Sequence, residues 1–310
     1  MEKPKECFKT SVGGQALMEG IMMRGPEKVC VAVRRPDGEI DLQVEDVKHR
    51  GWSKIPFVRG VCNMVENLVL GYRYLMHSAE VSMGDAFEEE DSKFDQWLAD
   101  HLGEKAQNVL MTVAGLMGGL MALVLFMVLP TSIVGLLNRV IPLGGAKVVL
   151  EGVLKLVIFI AYLFLCTRMK EIHRVFEYHG AEHKTIACYE HGQELTVENV
   201  RTHCRFHPRC GTSFLILVLI VSIFLSAVLP WGNKALRVVY KLLLLPVIMG
   251  ISYELIKLAG RYDNIFTRII SAPGLWLQRL TTFEPDDSMI EVAIAAIKPV
   301  LPQRPEDGLW

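Results

Sequence analysis

Residues 178–214, YHGAEHKTIACYEHGQELTVENVRTHCRFHPRCGTSF, gather side chains that bind metals and transfer protons. This stretch holds five of the nine histidines and three of the seven cysteines of the chain. Imidazole and thiolate groups are common zinc ligands. An apolar run begins directly behind the stretch, so the candidate metal site lies at the end of a segment with the composition of a membrane span.

The spacing inside this stretch predicts a particular chemistry. His179, Glu182 and His183 form H-x-x-E-H, the pattern of inverted-motif zinc peptidases. On a helix, residues four apart share a face, so both imidazoles can reach one ion while Glu182 stands beside it as a general base. A catalytic zinc site needs three protein ligands and one open position for water. The third ligand is expected from His207 or Cys210, with His203 and Cys204 as further candidates.

Two other interpretations of these residues stay open. His179, His183, His207 and Cys210 could fill all four positions of a structural zinc site, which would pin the segment to the helices. Alternatively, no metal is bound and the histidines make hydrogen bonds at the level of the lipid headgroups. Zinc is therefore the expected cofactor in two of the three interpretations.

A second candidate is the glycine-rich stretch SVGGQALMEGIMMRGP, residues 11–26. It fits neither a strand nor an amphipathic helix, and a glycine-rich loop can bring backbone N–H groups close to a ligand. Its polar side chains include Gln15, Glu19 and Arg24, and Gln15 or Glu19 could complete the histidine site across the fold. The alternative is a tight turn against the membrane helices, with three methionines filling gaps.

Composition predicts a membrane protein and excludes several other classes. The chain is 51% hydrophobic, has a positive mean hydropathy and carries a formal net charge of −1. No basic tract with interleaved aromatic residues is present, so nucleic acid is not an expected partner. Seven scattered cysteines do not form the paired framework of a small secreted fold. MEKPKECFKT is not followed by an apolar segment, so no signal peptide is expected.

Four apolar segments approach the roughly 20 residues that cross about 30 Å of hydrocarbon as a helix. They lie approximately at 109–129, 148–168, 213–229 and 238–258. Connections with Pro and Gly separate the members of each pair, so two transmembrane hairpins are expected. Lysine and arginine are most frequent in residues 169–212, which predicts that this loop and both termini lie in the cytosol.

The other segments are expected to lie in the cytosol or on the membrane surface. VCVAVRR and EIDLQVEDV flank the turn signal Pro36-Asp37-Gly38 and predict a β-hairpin. Residues 56–83 repeat apolar positions at helical spacing and predict an interfacial helix. FEEEDSK indicates an acidic linker, and FDQWLADHLGEKAQ a second amphipathic stretch. In the tail, Ser288 and Pro299 are expected to bound a short helix.

The predicted fold class is a mainly α polytopic membrane protein with four transmembrane helices in two hairpins, cytosolic amphipathic helices and a small N-terminal β element. The segments are 1–50, a cytosolic glycine-rich loop and β-hairpin; 51–104, interfacial helices and acidic linker; 105–168, the first transmembrane hairpin; 169–212, the cytosolic His/Cys loop; 213–260, the second hairpin; and 261–310, a cytosolic tail.

GGQALMEGIMMRGP near the start, with YHGAEHKTIACYEHG, LTVENVR and HPRCGTSF in the central loop, resembles the YqhQ-like family of bacterial polytopic membrane proteins. The resemblance covers essentially the whole chain, with its motifs in the same order. It implies a location in the bacterial inner (cytoplasmic) membrane. The family is mostly described as metal-dependent enzymes, which implies a metal site at the same histidines.

Two functions from different classes fit these patterns. The first is a zinc-dependent hydrolase acting on a membrane-associated substrate, with Glu182 activating the metal-bound water. The second is a non-catalytic accessory or scaffold subunit of a membrane machine such as protein insertion or secretion, with structural metal or none. Its partners would be other membrane proteins besides the lipid bilayer. Transport is less favoured, because the predicted crossings lack paired polar interruptions at the midplane.

Overall fold

The computed structural model describes residues 8–47, 55–84, 106–262 and 264–302. Its strands are β1 (Gly13–Leu17), β2 (Gly20–Arg24), β3 (Lys28–Arg34) and β4 (Ile40–Asp46). Its α-helices are α1 (Val58–Met83), α2 (Ala106–Leu123), α3 (Leu129–Val140), α4 (Ala146–Cys166), α5 (Lys170–Glu190), α6 (Val197–Arg201), α7 (Gly211–Ser226), α8 (Lys234–Arg261), α9 (Ile265–Thr281) and α10 (Asp287–Ile297). The fold is thus mainly helical with a small N-terminal sheet, as the sequence predicted.

The four strands form an antiparallel sheet in the order β1-β2-β3-β4. The predicted hairpin is confirmed, because β3 pairs with β4 from Lys28 opposite Asp46 to Arg34 opposite Ile40. Gly38 supplies the positive φ of 90° in its turn. The prediction of a glycine-rich loop over residues 11–26 is wrong. Its glycines weaken the local strand signal, but the apolar β2 lies between β1 and β3 and pairs with both.

The two central strands of the sheet, β2 and β3, are buried on both faces. On one face, Val29, Val31 and Val33 of β3 pack in a cluster that includes Tyr74 of α1. On the other face, Cys30 and Ala32 join a cluster formed by α5 and α10. Successive side chains of a strand point to opposite faces, so a strand covered on both sides is apolar at nearly every position. This explains why VCVAV lacks the alternation of a half-exposed strand.

Helix α1 confirms the predicted helix at residues 56–83, with its bounds at Val58–Met83. Apolar side chains at Val65, Leu68, Val69 and Tyr72 remain exposed. Their spacing places them in one stripe of the helix. Its position at a membrane surface stays a prediction. The acidic linker and nearly all of the second amphipathic stretch lie outside the described residues.

The tail contains a helix that the sequence analysis did not predict, α9, followed by the predicted short helix α10. The cap of α10 is Asp286, whose carboxylate accepts a hydrogen bond from the Met289 N–H at 2.9 Å. The prediction that Ser288 precedes the helix is therefore wrong by two residues; its hydroxyl instead donates to the Asp286 carboxylate. Asp is as good an N-cap as Ser, so the sequence DDS left the choice open.

Within the described part of the chain, three helical segments are long and apolar enough to cross a membrane: Val113–Val140, Ala146–Cys166 and Lys234–Arg261. The third predicted crossing corresponds to α7, an apolar helix of 16 residues. At 1.5 Å per residue this helix is about 24 Å long, less than the roughly 30 Å of a hydrocarbon core. Three of the four expected spans therefore have the required length.

The first connection differs from the prediction, because PTSIVGLLNRV is helical. A π-turn at Val124–Val128 joins α2 to α3, and Pro130 lies in the first turn of α3. Proline is tolerated in a first helical turn, where its missing N–H has the least effect. The helix consequently continues to Val140, and the predicted end near residue 129 is wrong.

The chain divides into two compact units. Unit 1 consists of residues 1–84, 163–220 and 246–310, and unit 2 of residues 85–162 and 221–245. The histidine- and cysteine-bearing stretch and the sheet belong to unit 1. Residues far apart in the sequence thus assemble around α5.

We expect Gly180→Ala to destabilise unit 1 by about 1–3 kcal/mol, the typical cost of overpacking. A Cβ at this position would collide with the backbone carbonyl of Phe283. That carbonyl cannot easily shift, because the Phe283 N–H is bonded to the Phe176 carbonyl at 2.9 Å. Denaturant unfolding in detergent measures the loss. Gly13→Ala is the control, since no heavy atom lies within 4 Å of its Cβ position; equal stability of both variants would contradict the expectation.

Candidate metal centre

Helix α5 carries the H-x-x-E-H residues and buries most of its C-terminal half. The rings of His179 and His183 lie one turn apart, with centroids 4.4 Å from each other. His183 and Glu182 are buried, with 1% and 5% of their surfaces exposed, and His179 is partly exposed. The helical geometry assumed for this motif is therefore present.

Cys210 lies directly before α7 and meets the two histidines. The His179 Nε2 atom is 3.0 Å from the Cys210 Sγ atom. His179, His183 and Cys210 each offer one ligand atom, and these atoms all lie within 4.8 Å of one another. The three residues thus form a group that could hold a metal ion.

Backbone carbonyls orient both imidazole rings. The Nδ1 atom of His179 lies 2.8 Å from the Thr281 carbonyl oxygen, and the Nδ1 atom of His183 lies 2.6 Å from the Arg205 carbonyl oxygen. A carbonyl can only accept, so Nδ1 carries the proton and Nε2 keeps its lone pair when each ring is neutral. Metal-binding histidines are commonly oriented in this way. The segments that end α9 and precede α7 therefore fix the ring positions.

Two of the seven buried side-chain atoms that lack a hydrogen-bond partner among the described residues lie at this group: His183 Nε2 and Glu182 Oε2. An unsatisfied buried acceptor of this kind costs about 1–3 kcal/mol. A metal ion would satisfy the imidazole nitrogen, and a water on that ion would satisfy the carboxylate oxygen. The residues therefore fit a bound metal.

Strand β1 reaches the site through Gly14, whose backbone hydrogen-bonds to Glu182. A Cβ at Gly14 would lie 2.9 Å from Glu182 Cδ and 2.6 Å from the Met22 carbonyl oxygen. Only glycine permits this approach without a shift of the carboxylate or of β2. The glycine-rich stretch therefore meets the histidine-bearing helix, and it does so through its backbone.

The polar side chains of that stretch have other partners. Glu19 pairs with Arg174 at 2.6 Å and accepts a hydrogen bond from the Tyr178 hydroxyl at 3.2 Å. Gln15 lies against Gly71 of α1. Arg24 contacts Asn67 and Glu66 of the same helix. The structure thus uses these three side chains to attach the sheet to α1 and α5.

His207 lies near the group but has different partners. Its ring centroid is 5.6 Å from that of His183, and its Nε2 atom is 3.4 Å from the Glu190 carboxylate. Arg209 pairs with the same carboxylate, and the Thr10 N–H donates to it at 2.6 Å. Gln278 holds the His207 backbone at both its N–H and its carbonyl. His207 therefore belongs to a buried polar network beside the ligand group.

His203 and Cys204 lie at the surface. The His203 Nε2 atom is 2.8 Å from the Gln193 side-chain oxygen. Cys204 is exposed, and its sulfur accepts from the Phe206 N–H at 3.4 Å. Neither residue is among the three that converge.

Electrostatics link the three ligand candidates. Burial opposes ionisation of the Cys210 thiol, but the imidazoles of His179 and His183 outweigh burial and hold its pKa well below the usual value. Burial likewise opposes protonation of His179, but Cys210 raises the His179 pKa to about 9. Burial raises the pKa of Glu182 and lowers that of His207. Both shifts favour a thiolate on Cys210 and an imidazolium on His179.

The fold and the ligand group define a class: a protein with membrane-length helices that carries buried His and Cys side chains suited to a metal ion. The family described as "Protein of unknown function (DUF1385)" matches residues 55–303, and the chain belongs to it. It is also 35% identical over 302 residues to "Uncharacterized protein YqhQ" of Bacillus subtilis (strain 168), covering 96% of this chain and 94% of that protein. No solved structure matches the chain. The resemblance to a YqhQ-like family is confirmed.

The groups that orient His179, His183 and Glu182 could not be recognised from the sequence motif. Thr281 and Arg205 act through backbone carbonyls, which leave no signal in side-chain types. Gly14 left a weak signal, because consecutive glycines in a strand often mark a close backbone approach. The contacts of Glu190 and Gln278 with His207 could not be predicted, because these residues are far from His207 in the sequence.

Glu190→Gln is expected to destabilise the protein by about 3–5 kcal/mol, the typical cost of breaking a buried ion pair. Burial opposes ionisation of Glu190, but His207 and Arg209 outweigh it and lower the Glu190 pKa. The stabilisation of the folded state by the Glu190 carboxylate is therefore fully present above the pKa of Glu190 in the unfolded chain. It is lost as the pH falls through the pKa of Glu190 in the folded protein. Unfolding in detergent between pH 7 and pH 3 tests both statements. The exposed Glu194→Gln is the control; a similar loss in both variants would refute the role of the network.

Proposed function

We propose that this protein is a zinc-dependent hydrolase that acts on a membrane-associated substrate at the cytosolic face of the bacterial inner membrane. The observation that carries the proposal is the pair of unpartnered buried atoms, His183 Nε2 and Glu182 Oε2, beside the Cys210 thiol. In the proposed site, His183 Nε2 would bind the ion, and Glu182 Oε2 would accept a hydrogen bond from a water on that ion.

The donor set favours zinc over harder ions. Two imidazoles and one thiolate match the softness and the four-coordinate preference of Zn²⁺, whereas Mg²⁺ and Ca²⁺ prefer oxygen ligands. His179, His183 and Cys210 would supply three ligands and leave a fourth position for water. Cys210 suits this role because the neighbouring imidazoles lower its pKa and so favour the thiolate, the form that binds zinc.

A bound zinc ion would lower the pKa of its water and polarise the carbonyl or phosphoryl group of a substrate. Glu182 would act as the general base: its Oε2 would accept a proton from the attacking water and later donate it to the leaving group. The backbone of Gly14 holds the carboxylate in place. Burial raises the Glu182 pKa, which brings it closer to the pH at which a general base also releases its proton efficiently.

Three observations support this location. Three helices of the described residues are long and apolar enough to cross a membrane. Lysine and arginine are concentrated around the histidine-bearing stretch, which favours the cytosolic side. The relative YqhQ is a bacterial protein, and the chain matches 94% of its length. With α7 as a fourth, shorter crossing, both termini would lie in the cytosol.

The second candidate function is a non-catalytic scaffold in a membrane machine such as protein insertion or secretion, with a structural zinc. The burial of the candidate ligands favours this second function, because only 1% of the His183 surface and 8% of the Cys210 surface are exposed. Structural zinc sites are closed and contribute directly to folding stability. The two functions predict different consequences for Glu182.

Metal analysis of the purified protein tests the ligand set. We expect about one zinc per chain in the wild type, since three ligands converge at one point. Cys210→Ser and His183→Ala should lose most of the metal, and Glu182→Gln should retain it. His203→Ala is the matched control, because it changes a histidine outside the group. Substitution with Co²⁺ adds a thiolate-to-metal absorption band that Cys210→Ser must abolish; its persistence would rule out Cys210 as a ligand.

Hydrolysis can be tested without knowing the substrate. We expect wild-type protein incubated with a bacterial membrane extract in ¹⁸O-labelled water to produce compounds that carry one ¹⁸O, detected by mass spectrometry. Glu182→Gln should lose at least a hundredfold in this incorporation, a typical contribution of a general base. His203→Ala should match the wild type.

The outcomes separate the two functions. Labelled products that depend on Glu182 support the hydrolase. A zinc-containing protein that yields the same labelled products with Glu182→Gln would exclude the catalytic role. If such a protein also co-purifies with a stoichiometric membrane partner, the scaffold function is favoured.

A further inference from the structure

Unit 2 contains a cluster of buried charges within its candidate membrane helices. Glu151 and Lys155 lie one turn apart on α4, and Arg237 and Lys241 lie one turn apart on α8. Between 0% and 9% of the surface of each residue is exposed. Measured from the first residue of each helix, Glu151 and Lys155 lie about 8 and 14 Å along α4, and Lys241 about 10 Å along α8. Ionisable residues at such positions usually mark a functional site.

Glu151 is the centre of the cluster. Its carboxylate accepts hydrogen bonds from Arg237 at 2.8 Å and from the Thr131 hydroxyl at 2.5 Å. It also pairs with Lys241, which in turn donates to Thr131 at 2.8 Å. Arg237 donates in addition to the Ser226 carbonyl and lies over the ring of Trp231. One carboxylate therefore serves two cations.

Lys155 is different, because no described carboxylate pairs with it. Its ammonium donates to the Ser222 hydroxyl at 2.8 Å. The four described side chains amount to three cations and one anion when ionised. A surplus of positive charge in a low-dielectric region is costly unless an anion compensates it.

A cavity adjoins the uncompensated charge. It has a volume of about 10 Å³, and its polar wall includes Glu151, Lys155, Ser226 and Lys241. The remainder of its wall is mostly apolar. This volume accommodates about one water-sized sphere. The cavity is therefore too small for phosphate, sulfate or a carboxylate of a metabolite.

We propose that this cavity is a binding site for a monatomic anion, with chloride as the physiological candidate. Lys155 and Lys241, which both line the cavity, attract the ion by charge. The charge surplus explains why an anion binds, and the cavity volume limits the anion to a single atom. The site is independent of the proposed metal centre, since all of its residues belong to unit 2.

The full-length protein in detergent tests the proposal by thermal unfolding at constant ionic strength. Replacing gluconate by chloride should raise the melting temperature in a saturable manner, by about 2–8 °C. Bromide should act like chloride, whereas sulfate should have no saturable effect. Equal melting temperatures in chloride and gluconate, or equal stabilisation by sulfate, would overturn the proposal.

Lys155→Met should weaken the apparent affinity for chloride by about tenfold or more, because it removes one of the two cations at the cavity. Lys147→Met is the matched control: Lys147 lies on the same helix, near the Trp231 ring and outside the cavity wall. If Lys155→Met fails to fold, crystals of the wild-type protein grown in bromide decide by anomalous scattering. A bromide peak between Lys155 and Lys241 supports the site, and bromide found only elsewhere refutes it.

Discussion

The structure of unit 1 depends on satisfying the polar side chains that helix α5 carries into the interior. Glu182, His183, Lys184 and Glu190 are all buried, and a buried charge without a partner costs several kcal/mol. A single helix cannot supply these partners itself. They come from segments far away in the sequence, and this requirement brings those segments together.

Each partner identifies one of the packed segments. Gly14 from the sheet holds Glu182, and Arg205 from the segment before α7 holds His183. Lys184 reaches the Arg201 carbonyl at 3.0 Å and the Glu284 carboxylate at 2.7 Å, which attaches the segment between α9 and α10. Apolar packing of the sheet against α5 and α10 supplies stability. The polar contacts add specificity, because they are satisfied in one register only.

Much of this arrangement could be predicted from local patterns, and the rest could not. Helical spacing predicted that His179 and His183 share a face, and turn chemistry predicted the β3–β4 hairpin. The choice between His207 and Cys210 was open, since both lie before the same helix. The structure brings Cys210 together with His179 and His183, whereas His207 contacts Glu190 and Arg209. Long-range pairing of this kind has no local signature in a single sequence.

The predicted end of the first apolar helix was wrong for a different reason. Proline often ends a helix, so the predicted helix end near Pro130 had a physical basis. In the structure the chain stays helical through a π-turn before Pro130, and the local sequence does not distinguish this arrangement from a helix end. Among the described residues, hydropathy identified the three helices of membrane length. It identified the shorter α7 equally well, so it did not distinguish helices by their length. Composition reports apolar character, whereas the length of a helix depends on where its neighbours allow it to end.

The position of Glu182 favours an open metal site over a closed one. Glu182 follows His179 by three residues and directly precedes His183, yet it is not among the residues whose ligand atoms converge. The backbone of Gly14 binds its carboxylate, and a side chain at position 14 would push against it. A closed site would take its fourth ligand from Glu182 or His207, and His207 already contacts Glu190. An ion held by His179, His183 and Cys210 alone would keep one coordination position for water, with the Glu182 carboxylate beside it, as the proposed water activation requires.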